Sequence, residues 1–251
     1  MSEHTRALLA EIAGTFLFFV IGAGAIVTAA ISAAPGTGLV PVAFAHGLAL
    51  AIAVSSFGAI SGGHFNPAVT LALAIARKHP WPRVLTYWAA QLIGAVLAGL
   101  VLRLFFEPFL AAATATHLGT PTINPAVSPM LAIVIEAVLT LFLVWTVFGT
   151  AVSPNAPRIA GFGIGLIVTA DILIGGPLTG AAMNPARHFG PAVVSNYLDS
   201  WYVYWIGPLI GGAIGGLSYR YIFGAPGERE PIVLGGSPAP VRPGPAPTER
   251  L

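Results

Sequence analysis

Two copies of the triplet Asn-Pro-Ala, at Asn66, Pro67 and Ala68 and at Asn184, Pro185 and Ala186, interrupt long apolar stretches of this chain. Asn is a favoured helix N-cap and Pro a favoured first helical residue, so each triplet reads as a helix start. The chemistry it offers is hydrogen bonding and charge–dipole attraction. The Asn oxygen can cap its own helix while the amide NH2 remains a donor, and the positive end of the helix dipole points the same way. Three carboxylates, Glu11, Glu136 and Asp171, also lie within apolar sequence, where an ionisable residue is a functional candidate by default. Glu11 and Glu136 are expected to brace loops by accepting hydrogen bonds from otherwise unpaired N–H groups, with an ion or proton relay as the alternative. Asp171 has no counterpart of that kind. The six histidines show no metal-ligand spacing. No phosphate loop and no Ser, His and Asp constellation is recognisable, so neither an enzyme nor a cofactor is expected.

The elements that would carry these residues follow from composition. Of 251 residues, 56% are hydrophobic and 8% charged, against roughly 25% charged in a soluble domain. Spanning a bilayer takes roughly 20 apolar residues per helix. Stretches of that kind run over residues 7–34, 39–60, 84–102, 130–152, 159–176 and 201–219. The first is too long for the apolar part of a cleaved signal sequence and carries Glu11. With the N-terminus in the cytoplasm, Arg6, Arg77, Lys78, Arg83, Arg158, Arg220, Arg229, Arg242 and Arg250 fall on the cytoplasmic side, leaving only Arg103 and Arg187. That satisfies the positive-inside rule, so the basic residues report topology and no nucleic-acid partner is expected. Residues 1–6 read as a cytoplasmic lead and the Pro- and Gly-rich residues 224–251 as a disordered cytoplasmic tail. With no cysteine in the chain, disulfides are excluded.

The spans divide into two halves of one design, about 7–106 and 130–223. "YWAAQLIGAVLAGLVLRL" from Tyr87 matches "YWIGPLIGGAIGGLSYRY" from Tyr204, with Arg103 and Arg220 in register. "AEIAGTFLFFV" from Ala10 matches "IEAVLTLFLVW" from Ile135, which sets Glu11 opposite Glu136. Three spans per half is an odd number, so the halves are inverted. Inverted repeats place a site near the bilayer midplane, commonly with broken helices. After each motif the apolar stretch, "NPAVTLALAIA" or "NPARHFGPAVV", is too short to cross. The fold class expected is an all-α membrane protein of six transmembrane helices plus two re-entrant half-helices.

Non-helical backbone at that depth must line a cavity or be buried in protein. Two half-helices meeting there would aim positive ends and amides at one midpoint, favouring the oxygen of a neutral molecule and repelling protons and cations. The third triplet, Asn124, Pro125 and Ala126, precedes a full-length span whose start is better assigned to Ser128 and Pro129, and is read as an outer loop. His64 is expected to brace its own loop, and His4, His79 and His117 to be exposed. The "GPLIGGAIGG" run from Gly207 is expected to be a close-packing helix face.

The paired "GGHFNPAVT" and "NPARHFGPA" motifs, the repeated Glu and the inverted layout resemble the aquaporin, or major intrinsic protein, family over approximately residues 6–223. The resemblance implies a homotetramer with one pore per subunit. It also implies a selectivity constriction at His46, Ile172, Ala181 and Arg187, a set most like the plant tonoplast intrinsic proteins. Strict water channels usually have His where Ile172 stands, so discrimination between water and other small neutral solutes should be relaxed. In that constriction Arg187 would supply fixed charge and donors, and His46 a second polar edge. His188 follows Arg187 and is unusual. The implied partners are water and small neutral solutes and the lipid bilayer. The implied activity is passive conduction of water, with ammonia, hydrogen peroxide or urea as further permeants and protons and ions excluded. The alternatives are a facilitator for glycerol or ammonia and an ion-coupled secondary transporter, against which stands the lack of a carboxylate cluster near the motifs. The address expected is the plasma (inner) membrane.

Overall fold

A computed structural model describes residues 1–32 and 38–224. The tail expected to be disordered lies outside the described residues apart from Gly224. Among the described residues nine α-helices follow in chain order: α1 Glu3–Ser32, α2 Leu39–Ser61, α3 Pro67–Ile75, α4 Val84–Phe105, α5 Leu110–Ala115, α6 Pro129–Val147, α7 Phe162–Thr179, α8 Pro185–Ser195 and α9 Val203–Ser218. There is no strand among the described residues. Five stretches among the described residues are long and apolar enough to cross a membrane: α1, α2, Trp81–Phe105, Pro129–Val152 and α7. The sixth span, α9, has 16 α-helical residues and continues directly into a five-residue π turn, Tyr219–Phe223.

The surface confirms the apolar solvent. On α4, Leu97, Leu100 and Leu104 recur at helical spacing and are exposed, as are Leu48 and Ile52 on α2. The polar groups are turned inward instead: Glu11, Gln91, Glu136 and Thr140 are fully buried and hydrogen-bonded. Hydrocarbon cannot satisfy a hydrogen-bonding group, so the chain must pair such groups internally.

Within the first half α1 packs on α2 and α4; within the second, α6 packs on α7 and α9. The halves then lock by exchange. The half-helix α3 lies against α9, α8 lies against α4, and α2 meets α7. Small residues make the exchange possible, since lipid gives helices no hydrophobic reason to associate and contact distance decides. A Cβ on Gly212 would lie 2.6 Å from the Ala68 carbonyl oxygen and one on Gly216 2.5 Å from that of Ala72, both on α3. Gly207 and Gly211 do the same against α6. The glycine run of α9 therefore serves two neighbours, one on each face.

Each half-helix starts as its triplet dictates. Asn66 and Asn184 are extended N-caps whose side-chain oxygens accept from Ala68 N and Ala186 N at 2.8 and 3.0 Å, with Pro67 and Pro185 opening the helix. In the third triplet Asn124 caps its own turn at 2.9 Å too, and its Nδ2 donates to Pro177 O at 3.1 Å, yet no helix follows. The next helix begins at Pro129, with Ser128 as N-cap.

Candidate functional site

The loops that carry the two motifs are held by the two glutamates. Glu11 accepts from Ser61 Oγ at 2.6 Å and His64 N at 3.0 Å on one oxygen, and from Phe65 N and Gln91 Nε2 at 2.8 Å on the other. Glu136 accepts from Thr179 Oγ1 at 2.6 Å, Ala182 N at 3.0 Å and Met183 N at 2.7 Å. Tyr87 and Tyr204 complete the pair, donating to the carbonyls of Ser61 and Thr179 at 2.9 Å each. The backbone needs this support because Phe65 and Met183 have φ of 47° and 52°. A bulky side chain rarely adopts that left-handed region.

That backbone turn aims the carbonyls of Phe65 and Met183 across the midplane. Asn66 Nδ2 donates to Met183 O and Asn184 Nδ2 donates to Phe65 O, each at 2.9 Å. One hydrogen of each amide is thereby committed to the opposite motif, and the second remains for the lumen. The two half-helices are tied tip to tip by this reciprocal pair.

Asn66, Asn184, His46, Ile172, Ala181, Arg187 and His64 all line one narrow cavity of about 20 Å³. That is room for little more than one water at a time. Beyond His46 and Ile172 it abuts a cavity of about 370 Å³ bordered by Thr120 and Gly180. Beyond His64 and Val147 it abuts one of about 620 Å³ bordered by Lys78 and Pro157. Pro67, Ala68, Pro185 and Ala186 are buried in the first turns of the half-helices and do not line the passage.

Arg187 is buried and doubly anchored. Its Nε donates to His46 Nε2 at 3.1 Å and its Nη1 to Gly119 O at 2.8 Å. His46 Nδ1 lies 2.8 Å from Val42 O, so the ring is the neutral tautomer with its proton on Nδ1. Both ring nitrogens are thus occupied, and the second polar edge expected of His46 is not free for a permeant. Arg187 keeps three of its five N–H donors. The carbonyl of Gly119 comes from a turn in which His117, Leu118 and Gly119 all have positive φ.

The family model described as Major intrinsic protein matches residues 1–219. The chain belongs to that family. It is 45% identical over 245 residues to a protein of Arabidopsis thaliana named "Probable aquaporin TIP3-2", covering 91% of this chain and 87% of that one. It is 44% identical over 236 residues to "Aquaporin TIP4-4" of Zea mays, covering 90% of each. An aquaglyceroporin structure from Plasmodium falciparum superposes with a TM-score of 0.81 over 88% of this chain and 97% of that one, at 22% identity, a likeness of fold alone. As a member of the family the chain is a multi-pass integral membrane protein.

Within that family frame, several parts of the site were not singled out from the sequence. Gly119 contributes only a backbone carbonyl, which no residue type announces. Gln91 bridges Glu11 and Thr70 Oγ1, whereas its repeat-mate is Pro208 and that of Thr70 is His188. His188 stacks on Tyr204 with ring centres 4.4 Å apart, away from the passage, and its Nε2 has no partner. His79, expected at the surface, is buried against His64 and Tyr87 at 4.8 and 4.5 Å, because the chain leaving α3 folds back under it through two hydrogen bonds to Leu73 O. His117 is half-buried and stacked on Tyr197 at 3.7 Å. Asp171 is buried with Oδ2 unpartnered and does not line the passage.

Proposed function

We propose that this protein is a passive channel for water that excludes protons and other ions. The observation that carries the reading is the single narrow cavity lined by both motif asparagines and Arg187, with a wider cavity abutting each end. Both half-helix dipoles present positive ends to it, and a water held by the two amides must donate its hydrogens outward, which interrupts a proton-conducting chain. The names of the relatives, aquaporins, support the same reading.

His46, Ile172, Ala181 and Arg187 form the selectivity constriction in this reading, and Glu11, Glu136 and His64 brace the loops. With both nitrogens of His46 engaged and Ile172 aliphatic, Arg187 alone of these four keeps side-chain donors for a permeant. That favours admission of ammonia, hydrogen peroxide or urea beside water. The channel domain spans 7–223 and assembles as a homotetramer with one pore per subunit. Both termini face the cytoplasm, as the basic residues argue. A plasma-membrane address stands against the resemblance to tonoplast intrinsic proteins, and cell fractionation decides it.

The test is osmotic shrinkage of liposomes containing the purified protein. Fast shrinkage with a low activation energy and no ionic conductance is expected; shrinkage at the rate of bare lipid would defeat the reading.

A further inference from the structure

The half-helices meet at their amino ends, so their carboxyl ends point to opposite faces, and each of those ends meets an arginine. Arg220 Nη1 donates at 3.2 Å to the carbonyl of Ile75, the last residue of α3. Arg103 Nη1 approaches the carbonyl of Val194, in the last turn of α8, at 3.5 Å. Among the described residues no backbone N–H reaches either carbonyl beyond the helices themselves. These two arginines are the repeat-related pair, and each serves the half-helix of the other repeat. The arrangement therefore occurs twice, once per face, on side chains that the passage itself never touches.

We propose that Arg103 and Arg220 are positioning residues for ion exclusion, a role that rests on the channel reading above. Each holds the carboxyl end of a half-helix by hydrogen bonding and offsets the negative pole of its dipole with a full positive charge. A helix carries roughly half a charge at each pole. The nine residues of α3 separate its poles by about 13 Å. At the midpoint the negative poles oppose the positive ones, and a cation beside each negative pole removes that opposition. The potential met by a proton or cation at the two asparagines rises accordingly. The two arginines differ in weight. Arg220 is half-buried, its guanidinium 4.9 Å from the Tyr221 ring centre, whereas Arg103 is exposed and more strongly screened. Arg77 and Lys78 follow α3 and add charge there, while α8 is followed by Asn196, Tyr197, Leu198 and Asp199, so Arg103 stands without a neighbouring cation in that segment.

The experiment compares wild type, the double variant Arg103→Gln, Arg220→Gln and the double variant Arg103→Lys, Arg220→Lys in liposomes. Water flux and the proton leak under an imposed pH gradient are read on each preparation. Gln keeps an N–H donor for the carbonyl and loses the charge; Lys keeps the charge. Water flux of the Gln variant should stay within about twofold of wild type while its proton leak per channel rises about three- to fivefold, the size set by two screened charges at that distance. The Lys variant should exclude protons as wild type does. An unchanged leak in a Gln variant that still conducts water would overturn the proposal, as would a Lys variant that leaks like the Gln variant. Should the double Gln variant lose water flux, Arg220→Gln alone carries the same test, with a smaller rise expected and no rise overturning it. Absence of water flux in the wild type would strike the channel reading instead, so the two failures are distinguishable.

Discussion

Arg187 and His46, 141 positions apart in the chain, share a hydrogen bond of 3.1 Å at the end of the narrow cavity. The bond turns a charged side chain into a fixed wall element, because His46 is itself pinned to Val42 O and Arg187 to Gly119 O. Replacing Arg187 by Val removes the charge, the donors and the partner of His46 together. Loss of about 1.4 kcal/mol from a permeation barrier is a tenfold change in flux, and the barrier that a fixed buried charge and its side-chain bulk set against a cation or a larger solute is of at least that order. Urea and methylammonium uptake by Arg187→Val liposomes should therefore rise about tenfold while water flux is retained. An unaltered solute profile would show that the constriction lies elsewhere.

The turn that feeds Arg187 is equally exposed to test. Gly119 has φ of 76°, and a Cβ there would lie 2.4 Å from the Ala23 carbonyl oxygen. Gly119→Val is expected to displace the turn and free Arg187 Nη1, giving the same loosened solute profile as Arg187→Val in weaker form. If uptake assays find wild-type selectivity, the Gly119 carbonyl is not what orients Arg187.

Glu136 accepts from two backbone N–H groups and one hydroxyl, all buried. Glu136→Leu strands them at a cost of about 1–3 kcal/mol each. A lower thermal unfolding midpoint in detergent and lost water flux are expected, with Glu136→Gln intermediate because its carbonyl still accepts. A Leu variant that melts and conducts like wild type would contradict the bracing role.

His79 lies outside the spans, and burial first, with Arg83 beside it second, pushes its pKa from 6.5 down to about 4. The unfolded chain therefore takes up a proton before the folded one as acid is added. His79 contributes stability that is complete above about pH 6.5 and declines as pH falls towards about 4. His79→Gln should flatten the fall of the unfolding midpoint over that interval. Parallel curves for variant and wild type would remove His79 from the acid response.

The chain contains no cysteine. Mercurial reagents should leave water flux unchanged, and block that a thiol reductant reverses would be incompatible with this pore.

What the sequence by itself determined was everything that depends on spacing along one strand of chain. Hydropathy set the spans, an odd number of them per repeat set the inversion, and Asn-Pro-Ala set the two helix starts, since capping is a matter of three consecutive residues. The repeat even paired Glu11 with Glu136 and Arg103 with Arg220 before any distance was known. Only the tertiary structure decided which donors those groups use up. The cross-repeat bonds Asn66 to Met183 and Asn184 to Phe65, the commitment of both His46 nitrogens, and the Gly119 carbonyl behind Arg187 all join distant positions through backbone atoms. Every residue type carries the same carbonyl, so nothing in a residue's identity marks the one that will accept. His79 shows the same limit: its burial comes from the fold of the chain beyond α3, not from its own polarity.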